Sequence, residues 1–385
     1  MKIAVVTRFP EDPSAPRGGV EAVSVNLVQG LNELGGLEVH VVTTDRGCPH
    51  PSESEWQGVR VHRLEWTGRK ILTHAMTAGR RRVQEFLRHL APDVVHSHDV
   101  YGLMVKGLDM PRVFTIHGFI HGDTLVAGGR LAKLRAMLWR QIETAGWAAQ
   151  PHIISISPYV RERLRGIARG VIHDIDNPIS EEFFGLRRAE VPGRILSAAW
   201  ISRRKNTLGL LRAFKTLQGM GIDAELRLAG AAHENSYLEA VHQYIREHGL
   251  SDSVRMLGKL DRHGILQELQ HASVFVLVSL EENSPMAIEE AMAAGVPVVA
   301  SNRCGMPYMV RDAESGFLVN PEDPNEVARS LARVLSDDAL RAAMSAKSIE
   351  IAEDRYHPRR IAERTLQVYR RAIEDHERHR EPAHV

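Results

Sequence analysis

Two carboxylates eight positions apart, Glu282 and Glu290, stand in the segment SLEENSPMAIEEAMAAGVPVVAS, residues 279–301. A β-branched run, SVFVLVSL, ends at Leu280, and Ser284-Pro285 then reads as an N-cap followed by Pro at the first helical position. Such a start leaves the backbone N–H groups of Met286 and Ala287 at the positive end of a helix dipole, an anion site suited to a diphosphate. The helix is expected to run to Ala294, with Gly295 closing it. On its wheel Glu290 emerges among Met286, Ala287, Ala293 and Ala294, where an unpaired carboxylate is costly. Two vicinal ribose hydroxyls would satisfy it, because one carboxylate accepts from both. Glu282 lies in the strand-to-helix loop and faces the same mouth, with Asn283 and Ser284 beside it as further binding candidates. The plainer alternative leaves Glu282 and Glu289 solvated or salt-bridged and pairs Glu290 with a distant Arg.

A second charged cluster, WISRRKN at residues 200–206, follows another strand end. Its consecutive cations Arg203, Arg204 and Lys205 would clamp phosphates and neutralise a leaving diphosphate, unless they are only a solvated run. Near the N-terminus, Arg17-Gly18-Gly19-Val20-Glu21 joins a first strand to a helix. Two glycines let a backbone approach a phosphate or sugar closely, although an ordinary turn reads the same way. His96 and His98 share one strand face and His117 ends the next strand. No Cys or carboxylate stands beside them in a ligand spacing, so no metal site is expected. Asp174-Ile175-Asp176 superficially matches a metal-binding Asp-x-Asp, but it runs straight into Asn177-Pro178 and is read as structural.

The elements that must carry these residues alternate short apolar runs with longer helical patterns, the sign of parallel sheets flanked by helices. Strands are expected at 2–7, 38–44, 93–98, 112–118 and 152–157, with a helix from Val20 to Leu34 closed by Gly35 and Gly36. After a polar stretch at 178–193, expected to act as a hinge, a second set follows at 194–200, 224–230, 253–258, 273–280 and 296–301. A closing helix is expected over about 358–376, and the His-rich tail beyond it reads as frayed. Ligands of such sheets sit beyond the carboxyl ends of the strands, where all the motifs above fall.

At 385 residues the chain suits two domains, each able to bury a core. A net charge of only +1 gives no general reason to bind nucleic acid. Cys48 and Cys304 stand far apart as small packing residues, which fits a reducing compartment. The opening MKIAVVTRFP reads as a strand, and no apolar stretch reaches membrane-spanning length. We therefore expect a cytoplasmic protein, with peripheral contact at the inner membrane face as a further option.

That option comes from local basic patches. Arg80-Arg81-Arg82 is followed by Arg130, Lys133, Arg135 and Arg140 on an apolar-periodic stretch with Leu131, Leu134, Leu138 and Trp139. A solvated helix face is one reading, and an interfacial helix on anionic lipid is the other.

The segment 279–301 resembles the Glu-x7-Glu motif of the retaining GT-B glycosyltransferases (glycosyltransferase family 4, glycosyl transferases group 1). Its usual form is Ser-x-x-Glu-Gly-Phe-Gly followed by Glu-Ala-Met-Ala-x-Gly-x-Pro-Val-Val-Ala. Glu282 and Glu290 match its two acids, while Asn283-Ser284-Pro285 replaces Gly-Phe-Gly. The resemblance implies that Glu282 approaches the anomeric end of the donor sugar and that Glu290 holds the ribose. WISRRKN falls where relatives read Gly-Arg-Leu-x-x-x-Lys-Gly, so Lys205 matches the phosphate-binding Lys, whereas Trp200 replaces the Arg and Arg204 or Arg203 would compensate. Gly18 and Gly19 match the family's Gly-Gly loop facing the donor diphosphate. HSHD and FTIHG match its His-x-His and Thr-x-His segments, which gives His117 the role of approaching the transferred sugar.

The resemblance implies an α/β GT-B fold: two Rossmann-like β/α/β domains facing a central cleft. Residues 1–178 would form an N-terminal acceptor-binding domain, 179–357 a nucleotide-sugar-binding domain, and 358–385 a helix returning to the first domain. It implies retaining transfer from a UDP- or GDP-sugar to a glycan, lipid-linked or small-molecule acceptor, by same-face attack through an oxocarbenium-like state. No metal and no cofactor besides the donor are implied. An inactive sugar-nucleotide binding protein and a nucleotide-sugar epimerase are the alternatives. A dehydrogenase is not supported, because no Gly-x-Gly-x-x-Gly follows a strand.

Overall fold

A computed structural model describes residues 1–45, 50–66, 71–127 and 131–380. Cys48, Arg130 and the last five residues of the His-rich tail lie outside these. The chain forms two compact units, Met1–Pro178 with Pro358–Val385, and Ile179–His357.

The first unit is built on β1 (Lys2–Val6), β2 (Glu38–Asp45), β3 (Ser52–Trp56), β4 (Val59–Glu65), β5 (Val94–His98), β6 (Arg112–Ile116), β7 (His152–Ser155) and β8 (Val171–Asp174). They form one sheet in the order β3-β4-β2-β1-β5-β6-β7-β8, parallel except for the β3–β4 hairpin. Ile3, Val5, Val94 and Val113 pack on one face and Ala4, Val6 and Val95 on the other, so the central strands read as continuous apolar runs. Neither strand of the hairpin was expected; SESEW alternates no apolar face, and four of its residues are exposed at the sheet edge.

Helix Gly19–Glu33 follows β1, and helix Pro358–Arg380 packs along it within this unit. Pro358 suits the first turn, and Ile361, Ala362, Thr365, Val368, Tyr369 and Ala372 recur at helical spacing on the buried face. The two helices approach closely at Gly30, where an added Cβ would lie 2.8 Å from the Pro358 carbonyl oxygen.

The second unit has a six-stranded, all-parallel sheet, ordered β11-β10-β9-β12-β13-β14. Its strands are β9 (Arg194–Ala198), β10 (Glu225–Ala229), β11 (Val254–Gly258), β12 (Val274–Leu277), β13 (Val298–Ser301) and β14 (Gly316–Val319). Apolar clusters cover both faces, one around Phe214, Leu226 and Val276 and one around Phe275, Leu277 and Met292.

The stretch read as a hinge is bound down on this unit. Ile179 and Phe183 are buried in its core, and the Ala189 and Val191 N–H groups donate to the Gln270 and His271 carbonyls at 2.9 Å each. Arg188 reaches the Gly295 and Ala272 carbonyls. The polar composition gives no sign of this, because two apolar side chains, one arginine and two main-chain N–H groups make the attachment.

Replacing Gly30 by Ala should force the two helices of the first unit apart and destabilise it by about 1–3 kcal/mol. Urea unfolding with the midpoint and slope both recorded checks this, and an unchanged midpoint would contradict the contact.

Candidate active site

In the second unit the first strand feeds a tight turn. The Asn206 N–H donates to the Arg203 carbonyl at 3.0 Å, and Asn206 itself takes a left-handed conformation, φ 56°, before helix Thr207–Gly219. This turn is fastened to the loop after β12: the Leu280 N–H donates to the Arg204 carbonyl at 2.8 Å, and Arg204 Nη1 donates to the Glu281 carbonyl at 2.9 Å. The fastening puts Lys205 Nζ against Glu282 Oε1, with Arg204 Nη1 3.2 Å from the same oxygen. Glu282 is only 8% exposed, so its charge depends on these two cations.

A third strand-end loop closes on the same acid. Gly305 N–H donates to the Glu282 carbonyl at 2.8 Å, and a side chain on Gly305 would overlap the Asn283 carbonyl. Cys304 beside it is a free thiol in a left-handed conformation, φ 55°. Nothing in residues 302–306 had marked them as site residues, because a glycine required by close approach looks like any turn glycine.

Helix Met286–Ala293 starts one residue later than expected, with Pro285 at the N-cap position and no side-chain cap. The Ser284 hydroxyl does not cap it, but donates to Glu289 Oε1 at 2.7 Å. Glu289 is fully buried, not solvated, and the hydroxyl is drawn to it. Helical geometry leaves the first-turn N–H groups of Met286 and Ala287 without an intrahelical acceptor.

Glu290 is partly buried on this helix, and its carboxylate makes no hydrogen bond or ion pair among the described residues. Burial pushes its carboxyl up to about 7, partly offset by the Arg262 charge. Arg262 is the distant Arg of the plainer reading, but its guanidinium pairs with Glu182 at 2.8 Å. Of the two arginines expected to compensate for Trp200, Arg203 lies over the Tyr237 ring and 3.8 Å from Glu234, and Arg204 is the one that reaches Glu282. Trp200 stacks on His233 with centroids 3.8 Å apart.

In the first unit, pleat alternation places His96 and His98 of β5 on one face beside Thr115 of β6. His96 is held at both nitrogens, by the Tyr369 hydroxyl and the Thr115 hydroxyl, each at 2.7 Å. His98 Nδ1 lies 3.0 Å from His117 Nε2, and Asn177 hydrogen-bonds the His117 ring as well. The Asp99 carboxylate accepts the His117 N–H at 2.9 Å and so fixes the strand end. Burial lowers all three imidazoles, His96 to about 3, so they are neutral at physiological pH.

Gly18 caps helix Gly19–Glu33 in an extended conformation, and a Cβ there would meet nothing within 4 Å. The fold does not require a glycine at that point. The Glu21 carboxylate already accepts the Arg17 N–H at 2.7 Å. Asp174 pairs with Arg161 at 2.8 Å, and no group of three or more metal-ligating side chains is present among the described residues.

Because the folded-state pKa of Glu290 lies above the unfolded value of 4.5, the native state binds more protons between pH 4.5 and about 7. Stability from this group therefore falls as pH rises through that window. Glu290→Gln should remove the slope and stabilise the protein above pH 7 by roughly 1–2 kcal/mol. Thermal melts of both proteins across that pH range check this.

Comparison with known proteins agrees with this architecture. Residues 17–183 match the family model Glycosyltransferase Family 4, and residues 178–350 match Glycosyl transferases group 1. An uncharacterized glycosyltransferase of Methanocaldococcus jannaschii is 27% identical, over 97% of this chain and 99% of its own length. The D-inositol 3-phosphate glycosyltransferase of Corynebacterium aurimucosum is 29% identical over 92% of each. GDP-mannose:cellobiosyl-diphosphopolyprenol alpha-mannosyltransferase of Komagataeibacter xylinus is 24% identical over 92% of this chain and 90% of its own.

Among solved structures, sucrose-phosphate synthase from Thermosynechococcus elongatus superposes with a TM-score of 0.80 at 20% identity, over 97% of this chain and 99% of that one. Anabaena HepE in complex with UDP and glucose gives 0.72 at 18%, over 95% and 98%. These two show the fold. With two family models that together run from residue 17 to 350, the chain belongs to the GT-B glycosyltransferases of family 4, glycosyl transferases group 1.

Proposed function

We propose that the protein transfers a sugar from a UDP- or GDP-sugar to a glycan, lipid-linked or small-molecule acceptor, with retention of configuration and without a metal ion. The observation that carries this reading is the buried Glu282 carboxylate held by Lys205 and Arg204 at the strand ends that lead into helix Met286–Ala293.

A diphosphate at that helix end meets the Met286 and Ala287 N–H groups and a pair of cations that outnumber their carboxylate. As the glycosidic bond breaks, negative charge grows on the departing phosphate oxygen. Lys205 and Arg204 stabilise that charge more than they stabilise the ground state. Lys205 thereby passes from Glu282 to phosphate, and Glu282 is left to accept from a hydroxyl of the donor sugar beside Asn283 and Ser284. Glu290 accepts the ribose hydroxyls, which supply the partners its carboxylate lacks.

Neutral His117 hydrogen-bonds the transferred sugar once His98 or Asn177 gives up one of its nitrogens. Gly18 and Gly19, with no side chain to exclude it, admit the diphosphate. Positive charge on the protein itself replaces the metal that other glycosyl transfers use. Transfer from a nucleotide sugar is supported by the name of one relative, GDP-mannose:cellobiosyl-diphosphopolyprenol alpha-mannosyltransferase, and a small-molecule acceptor by that of another, D-inositol 3-phosphate glycosyltransferase.

Calorimetric titration with UDP- and GDP-sugars tests the ribose role. Glu290→Gln should weaken donor binding by about 1–3 kcal/mol, the cost of disrupting a charged hydrogen bond. Binding to the wild type should also weaken as pH falls through about 7 and release protons near that pH, because only the ionised carboxylate accepts from both hydroxyls. Equal affinity for the variant removes Glu290 from the site.

Turnover should be unchanged by a chelator. Loss restored by magnesium or manganese would contradict the metal-free reading, and donor conversion without acceptor would favour the epimerase.

A further inference from the structure

Helix Ala132–Trp147 of the first unit is apolar on the wrong side. Ala136, Glu143, Gly146 and Trp147 form its buried face. On the opposite side, where a surface helix normally shows polar residues, stand Leu131, Leu134, Met137 and Leu138, 52–64% exposed. Leu125 of the neighbouring helix Ile120–Ala127 adds to them at 50%. Elsewhere among the described residues only Met76 is as exposed for a large apolar side chain.

Charge borders this line on both flanks. On the helical wheel Lys133 and Arg140 fall to one side of the Leu134–Leu138 line and Arg135 to the other, all exposed. The helix has one acid, Glu143, and it is turned inward, where it accepts the Ile120 and His121 N–H groups at 2.7 and 3.1 Å. The other basic run is largely used within the fold: Arg80 donates to the Lys106 carbonyl, Arg82 pairs with Glu65, and only the exposed Arg81, 3.9 Å from Glu85, faces outward.

We propose that this face docks the first unit on an anionic lipid bilayer. The leucines and Met137 enter the boundary between headgroups and acyl chains, and Lys133, Arg135 and Arg140 meet the lipid phosphates on either side. A second copy of the chain is the poorer occupant, since two such faces would set cations against cations with no carboxylate between them. The inference does not depend on which donor the second unit takes, and no helix among the described residues is long and apolar enough to cross a membrane.

Flotation of the full chain with vesicles tests it, comparing phosphatidylcholine alone with equal parts of phosphatidylcholine and phosphatidylglycerol. The protein should float with the anionic vesicles and be released by high salt. Leu134→Ser with Leu138→Ser should reduce partitioning at least about tenfold, and Lys133→Gln, Arg135→Gln and Arg140→Gln together about a hundredfold. All five side chains are exposed, so melting curves should match the parent and exclude misfolding as the cause. Equal binding to neutral vesicles, no flotation with anionic ones, or both variants floating like the parent would overturn the proposal. So would a dimer on size exclusion that the serine variant dissolves while vesicle binding is absent.

Discussion

One backbone hydrogen bond, from the Leu280 N–H to the Arg204 carbonyl, ties the loop after β12 to the turn after β9. Parallel neighbours end side by side but send their loops apart, so without a tie the acid of one loop and the cations of the other would each turn to water. With it, Glu282 is presented to Lys205 and Arg204 and can be buried. Gly305 adds a third loop to the tie, and its missing side chain is what lets the loops close. Such a cluster contributes little to stability, because desolvation offsets most of the attraction. Its value is positional: two cations stand ready on rigid strand ends, with a carboxylate that keeps them from scattering.

The candidate groups of the two units are held differently. Glu282 of the second is paired with cations, while the first buries His96, His98 and His117 and makes them neutral. A neutral imidazole offers one donor and one acceptor, and the Tyr369 and Thr115 hydroxyls take both positions on His96. Tyr369 comes from the closing helix, so the strand face that carries His98 and His117 is ordered by a residue far along the chain.

Ten strands and both end helices were legible in the sequence because buried parallel strands and amphipathic helices leave strong periodic signals. β3, β4, β8 and β14 were not: SESEW and VIHD bury little, and β4 and β14 carry apolar residues that no flanking pattern had marked. Of the candidate site, Glu282, Lys205 and Arg204 were visible as charges beyond strand ends, and the structure brings these three together. The pairing of Ser284 with Glu289, the diversion of Arg203 to Glu234 and the need for Gly305 were not legible. Each is decided by a loop whose path no short-range pattern fixes. The segment 178–193 shows the same limit: part of its anchorage runs through main-chain atoms that every sequence shares, and the partners of Arg188 are carbonyls far along the chain.

The membership of Pro358–Arg380 in the first unit has a consequence for how the chain is made. In topological terms the second unit is an insertion, spelled out between the two parts of its neighbour. A ribosome releases all of Ile179–His357 before the helix that covers Val28, Leu31 and His96 exists. During synthesis the first sheet must wait with part of one face, beside helix Gly19–Glu33, uncovered while the inserted unit is already whole. The nascent protein thus passes through an aggregation-prone interval before Pro358–Arg380 is made, and the docking of that helix ends it.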